Sequence, residues 1–236
     1  MKLPRVALGL GSLALLLLVV AGPGTRAGVW ELGTGFQLIK WGFYLGLATA
    51  ALVLLCAVVS RPLRRAAPLL LAALLVGGAA ALVPWYLLQT AKGVPPIHDI
   101  TTDLEDPPSF VAVLPLRAKA PNPAVYGGPE VAAAQRRGYP DLHPVELAAT
   151  PADALGRAVA AARQMGWEIV ATDSAAGRIE ATATTVWFGF KDDVVVRVRP
   201  AGNGSRIDVR SVSRVGGSDV GTNARRIRAY LAKLGT

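Results

Sequence analysis

The densest run of chemically capable side chains lies near the C-terminus. Lys191, Asp192 and Asp193 are consecutive, and Ser211, Ser213, Arg214, Ser218, Asp219, Asn223 and Arg226 follow closely. Neighbouring carboxylates can share a proton as an acid–base pair or hold a divalent ion. Ser218, together with backbone amides at the start of a helix, can hold an anion, with the helix dipole and a bidentate contact from Arg214 or Arg226 adding to the attraction. Gly189, Gly216, Gly217 and Gly221 are interleaved with these residues, and glycine permits the tight turns or close backbone approach that either site would use. A third reading assigns no activity: arginine, aspartate and asparagine form one network that locks a helix to a sheet, with Ser218 only a cap.

Catalysis has specific obstacles. Adjacent residues of a strand point to opposite faces, so Asp192 and Asp193 converge only if a bulge intervenes. A serine–histidine–carboxylate set would have to use His98 or His143, both in a proline-rich stretch, and no nucleophile motif precedes a helix. His98-Asp99 with Asp103, Glu105 and Asp106 has neither the spacing of an EF-hand loop nor that of a zinc motif. No metal and no cofactor are expected. The single cysteine, Cys56, lies in an apolar stretch, so no intramolecular disulfide can form.

The elements that must position these side chains are legible from Thr150 onward. Thr150-Pro151-Ala152-Asp153 reads as a helix start, with threonine as N-cap, proline at the first helical position and a carboxylate at the third. Leu155, Val159, Ala162 and Met165 recur at helical spacing, and Gly166 ends the run. Trp167 to Asp173 alternates, with Trp167, Ile169 and Ala171 on one face. A turn at Ala175 to Gly177 leads to Arg178–Thr185, and Val194, Val196 and Val198 alternate with Val195, Arg197 and Arg199. Gly202-Asn203-Gly204 is a turn before a strand containing Ile207, Val209 and Ser211. The last helix is expected from about Asp219 to Leu234, with Ser218 as N-cap and Ala224, Ile227, Leu231 and Leu234 as its stripe. Short turns make the sheet antiparallel, and helices on one face make an α+β domain. The other face carries Glu180, Thr182, Arg197, Arg199, Asp208 and Arg210, whose opposite charges can pair across strands.

Between Lys92 and Thr150 prolines forbid long helices and central strands. This stretch reads as an extended segment wrapping over the domain, with a short helix at Pro129–Arg137 and with Ile97, Ile100, Phe110 and Val113 as core anchors. Three segments, HDITTDLEDPPSF (98–110), FGFKDDVVVRVR (188–199) and SVSRVGGSDVGTNARRIRAYL (211–231), resemble the domain-of-unknown-function family 1499 (DUF1499). The resemblance covers nearly the whole of the C-terminal domain. It implies its boundaries, and apolar helices ahead of it, but names no activity.

The first ninety residues are of another kind. Apolar stretches run from Val6 to Gly22, Phe36 to Ser60 and Pro68 to Gln89. A bilayer core about 30 Å thick takes about 20 residues of helix, which the last two supply with ease and the first barely. Lys2 and Arg5 precede the first stretch, and Arg61, Arg64 and Arg65 fill the loop between the second and third. Positive residues stay cytoplasmic, so the N-terminus and that loop are expected inside and the C-terminal domain outside. In a Gram-negative bacterium the protein then sits in the inner membrane as a multi-pass protein with a periplasmic domain. The first stretch also reads as a signal-peptide core behind a positive n-region, although Thr25-Arg26-Ala27 is a poor cleavage site. Lys40 beside Trp41, Phe43 and Tyr44, and Trp85-Tyr86 after Pro84, suit interfacial belts. Gly77, Gly78 and Ala79 to Ala81 suit close helix contact.

The net charge of +9 invites a nucleic-acid partner, but its distribution argues against one. Seven basic residues and one acidic one precede Ala91, against eighteen and fifteen after it. The expectation is therefore three N-terminal transmembrane α-helices (1–90), a wrapping segment (91–149) and an α+β core with a four-stranded antiparallel sheet and two packed helices (150–236). The expected partners are the lipid bilayer and a lipid or another envelope protein, in a binding or scaffolding role. A membrane-tethered enzyme using Asp192/Asp193 and Ser218/Asp219 is the alternative.

Overall fold

The structure, a computed structural model, describes residues 2–59 and 66–235. Arg61, Arg64 and Arg65, on which much of the orientation argument rests, lie outside the described residues. The chain forms two compact units, Met1–Lys92 with Val186–Gly189, and Gly93–Thr185 with Phe190–Thr236.

The first unit contains three helices long and apolar enough to cross a membrane: α1 (Lys2–Arg26), α2 (Leu32–Val59) and α3 (Ala67–Lys92). Their contacts are made by small residues. Ala7, Gly11, Ala14, Leu18 and Ala21 of α1 are buried at alternating spacings of four and three, the seam of a supercoiled helix pair. A Cβ on Gly46 would lie 2.6 Å from the Gly77 carbonyl oxygen, and one on Gly77 would lie 2.8 Å from Thr49. The small residues of α3 thus serve contact within this bundle. Where no hydrophobic force separates helix from lipid, such close approach is what favours association. Trp41, Tyr44, Trp85 and Tyr86 stay on the outside. Segment 186–189 belongs to this unit, where Trp187 Nε1 donates to the Val19 carbonyl at 3.3 Å.

The second unit is built on a six-stranded, fully antiparallel sheet in the order β1-β6-β5-β4-β3, with β2 also on β6. Its strands are β1 (Asp99–Thr101), β2 (Val145–Leu147), β3 (Glu168–Asp173), β4 (Arg178–Thr184), β5 (Lys191–Ala201) and β6 (Gly204–Ser213). The expected four strands are therefore short by two. Both extra strands come from the proline-rich stretch and are three residues long, too short to show a period. They share one edge, β1 on Arg210–Val212 and β2 on Ser205–Ile207. In β3 the register shifts between Ile169 and Ala171, so the alternation expected through Ala171 breaks at this irregularity.

Helices α4 (Gly128–Gly138), α5 (Pro151–Gln164) and α6 (Thr222–Leu234) complete the unit. Thr150 caps α5 as expected, its hydroxyl accepting from the Asp153 amide at 3.2 Å. The start of α6 differs from expectation. It begins at Thr222 rather than Asp219, with Gly221 at the N-cap position and φ +74°. The helices α5 and α6 pack on one sheet face through Leu155, Ala158, Ala162, Ile227 and Tyr230 against Ile179, Val194, Val196 and Val209. Tyr230 stacks on Trp167 at 4.8 Å and donates to the Ala158 carbonyl at 2.9 Å.

The opposite face is roofed by the proline-rich segment. Phe110 and Val113 meet Val195 and Val212 there in a second small core. Ile97 and Ile100 join the first core, so all four expected anchors are buried.

Candidate functional site

The alternation of β5 sends its two carboxylates apart. Asp192 shares the helix side with Val194 and Val196, whereas Asp193 faces the roof with Val195. No bulge brings them together, because both keep regular register with β4 and β6.

On the helix side, the Arg226 guanidinium donates to the Asp192 carboxylate and to Asn223 Oδ1. Asn223 is fully buried and accepts from Ser211 Oγ at 2.7 Å. Its amide donates to Ser213 Oγ and to the His98 carbonyl, both at 3.0 Å. This set ties α6 to β5, β6 and the strand that follows His98.

On the roof side, Asp193 is fully buried and accepts four hydrogen bonds: from Thr182 Oγ1 (2.9 Å), Arg117 Nη1 (2.9 Å), Arg214 Nε (2.9 Å) and Arg214 Nη2 (2.8 Å). Arg117 comes from a 3-10 turn at Pro115–Arg117 and also donates to the Asn122 carbonyl at 3.0 Å. Burial holds its guanidinium below the usual arginine range. Asp193 pulls the other way, and the nearby charges of Arg214 and Arg210 add to the lowering. The Asn122 side chain donates in turn to the carbonyls of Ser213 and Gly216.

Asp219 occupies the position where an anion at the helix start would sit. Its carboxylate accepts from the amides of Gly221 (2.8 Å) and Asn223 (2.7 Å). Burial raises its pKa above the ordinary carboxylate value, against the lowering effect of those two amides, and Asp192 adds to the rise. Ser218 is not the cap. Its hydroxyl accepts from the Val220 amide, at 3.2 Å. Lys191 is exposed, and its carbonyl accepts from the Arg214 amide at 3.0 Å. The residues singled out by sequence therefore divide into two networks and a helix cap, on both sides of one sheet.

The expected cross-strand pairing of Arg197 and Arg199 with Asp208 is present, but sequence reasoning missed the roof carboxylate that joins it into the largest ionic assembly. Asp103 Oδ2 accepts from Arg197 (3.2 Å), Arg199 (3.1 Å) and Arg206 (2.8 Å), and Asp208 pairs with the same three arginines. Arg210 forms a buried bidentate pair with Asp99 and lies 5.1 Å from the Phe110 ring centroid. Glu180, also buried, accepts from the Val111 and Val113 amides at 3.0 Å and pairs with Arg178. These contacts fasten the roof to the sheet. The sequence did hold a signal. Arg199 and Arg206 are cross-strand partners, and with Arg197 they set three positive charges around the single sheet carboxylate Asp208, an excess that favours a further carboxylate from elsewhere.

Surface clefts lie beside these networks. One, of about 370 Å³, is lined among others by Leu104, Glu105, Arg136, Tyr139, His143 and Arg206. Another, of about 330 Å³, lies between the end of α5 and the start of α6. Among the described residues, no three His, Cys, Asp or Glu side chains gather as a metal would require.

Residues 99–234 match the family model described as protein of unknown function (DUF1499). The chain belongs to this family. The matched region takes in all six strands and α4 to α6, so the DUF1499 domain is the roofed sheet with its helices. No curated protein matches the chain. Within the DUF1499 domain, the residues that carry the resemblance, Asp99, Asp103, Phe110, Asp193, Arg214 and Asn223 among them, are those that join roof and last helix to the sheet.

Proposed function

We propose that the protein is a membrane-anchored binding domain, holding a lipid or another envelope protein at the membrane surface without chemistry of its own. The observation that carries this reading is the state of Asp193 and Asp192. A carboxylate gripped by two arginines and a threonine has no free lone pair to accept a substrate proton, and Asp192 is bonded to Arg226 on the far side of the sheet. The remaining surface features are clefts, which suit binding. Three apolar helices hold the domain at a membrane. Lys2 and Arg5 ahead of α1, with Arg61, Arg64 and Arg65, favour a cytoplasmic N-terminus and an outward, periplasmic domain at the inner membrane.

Native mass spectrometry of the full-length protein, purified in a mild uncharged detergent, tests the reading. A retained lipid or a stoichiometric envelope protein is expected. A bare protein, combined with loss of cellular function in a folded Asp193→Asn variant, would favour the membrane-tethered enzyme instead. Orientation is tested separately. A cysteine placed at Asn203, in a Cys56→Ala background, should react with a membrane-impermeant maleimide in intact spheroplasts. Labelling only after lysis would reverse the orientation.

A further inference from the structure

We propose that the tip of the β4–β5 hairpin, residues 186–189, is a further membrane-contacting element, covered by phospholipid at the boundary between headgroups and acyl chains. The three apolar helices carry this inference, whether or not the domain holds a ligand.

The residues of the tip are unsuited to a turn in water. Turns favour Gly, Asn, Asp and Ser, and the β5–β6 hairpin follows that rule with exposed Gly202 and Asn203. The β4–β5 hairpin turns instead through Val186, Trp187, Phe188 and Gly189. Two hydrogen bonds at 2.8 Å close it, from the Thr185 amide to the Phe190 carbonyl and from the Phe190 amide to Thr185 Oγ1.

Residues 186–189 belong to the first unit, which gives them a fitted seat. A Cβ on Gly22 of α1 would lie 2.5 Å from the Trp187 ring, so a glycine is what lets the indole lie against the helix. A Cβ on Gly35 of α2 would lie 3.1 Å from the Phe188 ring, which also packs on Phe36 with centroids 5.5 Å apart. Arg26 Nη1 donates to the Val186 carbonyl at 2.6 Å, and Trp187 Nε1 donates to the Val19 carbonyl.

The depth of the seat points to lipid. The 25 residues of α1 rise about 37 Å, a little more than a hydrocarbon core about 30 Å thick. Val19 lies seven residues before Arg26 at the helix end, about 10 Å down the axis. Interfacial segments bury their apolar side to about 5–10 Å, so an indole bonded at Val19 sits in that layer. Tryptophan is favoured there, and Arg26 at the helix end can extend its charge to the headgroups. The outward surface is apolar as well. Val186 is 86 % exposed, and Val19 and Phe36, which meet the tip, are each about half exposed. The tip thus continues the lipid-facing surface of α1 and α2.

The test uses full-length protein in lipid nanodiscs, where both membrane faces are open to solutes. In a Cys56→Ala background, Val186→Cys carries the fluorophore NBD, with Asn203→Cys as the reference. NBD at position 186 should emit to the blue of NBD at 203 and largely lose its quenching by aqueous iodide. Lipid spin-labelled near the headgroup should quench it more than lipid labelled at the chain end, and neither should quench at 203. Equal iodide quenching at the two positions overturns the proposal, because the tip is then in water. Blue emission that neither lipid nor iodide quenches overturns it too, because protein then covers the tip. Should Val186→Cys fold poorly, Trp187→Phe serves instead. The share of tryptophan emission quenched by brominated lipid should fall relative to the unaltered protein, and an unchanged share refutes lipid contact.

Discussion

Arg199 and Arg206 face each other across β5 and β6, and the Asp103 carboxylate reaches both, at 3.1 and 2.8 Å. Two like charges in direct register would weaken the sheet. Asp208 of β6 pairs with both arginines, and the roof segment makes the site an attachment point by supplying a second counter-ion. Asp103 also accepts from the amides of Glu105 and Asp106, which fix its own loop. Burial alone would raise its pKa, but those two amides with Arg206 and Arg197 outweigh burial and hold it below 3.8. A carboxylate depressed on folding stabilises the fold above its unfolded pKa, and that contribution fades as pH falls below about 4. Asp103→Asn should therefore cost about 2 kcal/mol at neutral pH. The gap from the unaltered protein should narrow as unfolding is repeated toward pH 3. A gap that stays constant with pH would contradict this role.

Asp193 should be the most sensitive position of the candidate cluster. Removing its charge leaves Arg117 buried and Arg214 half-buried without a counter-ion, and breaking a buried pair typically costs about 3–5 kcal/mol. Asp193→Ala should lower the thermal midpoint of the second unit by many degrees, followed through Trp167 fluorescence. Lys191→Ala, two residues away and exposed, should change stability by less than about 0.5 kcal/mol. Equal effects at both positions would show that Asp193 is not the anchor its contacts describe.

What could be read from the sequence was what local rules encode. Thr150, Pro151 and Asp153 specify the start of α5 within four residues, and the valines of β5 announce their strand by period. The start of α6 was misplaced because Ser218 and Asp219 are both good caps. Only the left-handed conformation at Gly221 sets the helix start three residues later. Strands β1 and β2 have no periodicity of their own and exist because β6 offers an edge. The polar cluster was visible by composition, but its partners were not. Arg117 is 76 residues from Asp193, and Asp103 is 103 from Arg206, distances that only the folded roof closes.

Asp219 separates charge from hydrogen bonding. Burial raises its pKa, so the fold carries a cost for ionising it as pH rises above about 4, the reverse of Asp103. Asparagine keeps a side-chain oxygen for capping and carries no charge. Asp219→Asn should be neutral or slightly stabilising at pH 7, whereas Asp219→Ala loses the cap and should cost about 1–2 kcal/mol. Chemical unfolding of the two variants at one pH checks the order, and a more damaging Asn than Ala would refute it.

In the membrane unit, adjacent glycines of α3 should respond in opposite ways. A Cβ on Gly77 would lie 2.8 Å from Thr49, and Gly46 approaches the Gly77 carbonyl so closely that neither helix can yield without separating. A Cβ on Gly78 would meet nothing within 4 Å. Helix association in lipid depends on packing at such small residues, so Gly77→Leu should push α3 away from α2. Gly78→Leu only adds apolar surface. The expected result is a sharp fall in monodisperse, detergent-extracted protein for Gly77→Leu, and near-normal yield and thermal midpoint for Gly78→Leu. If both variants behave alike, α3 does not depend on the Gly46–Gly77–Thr49 contact for its place in the bundle.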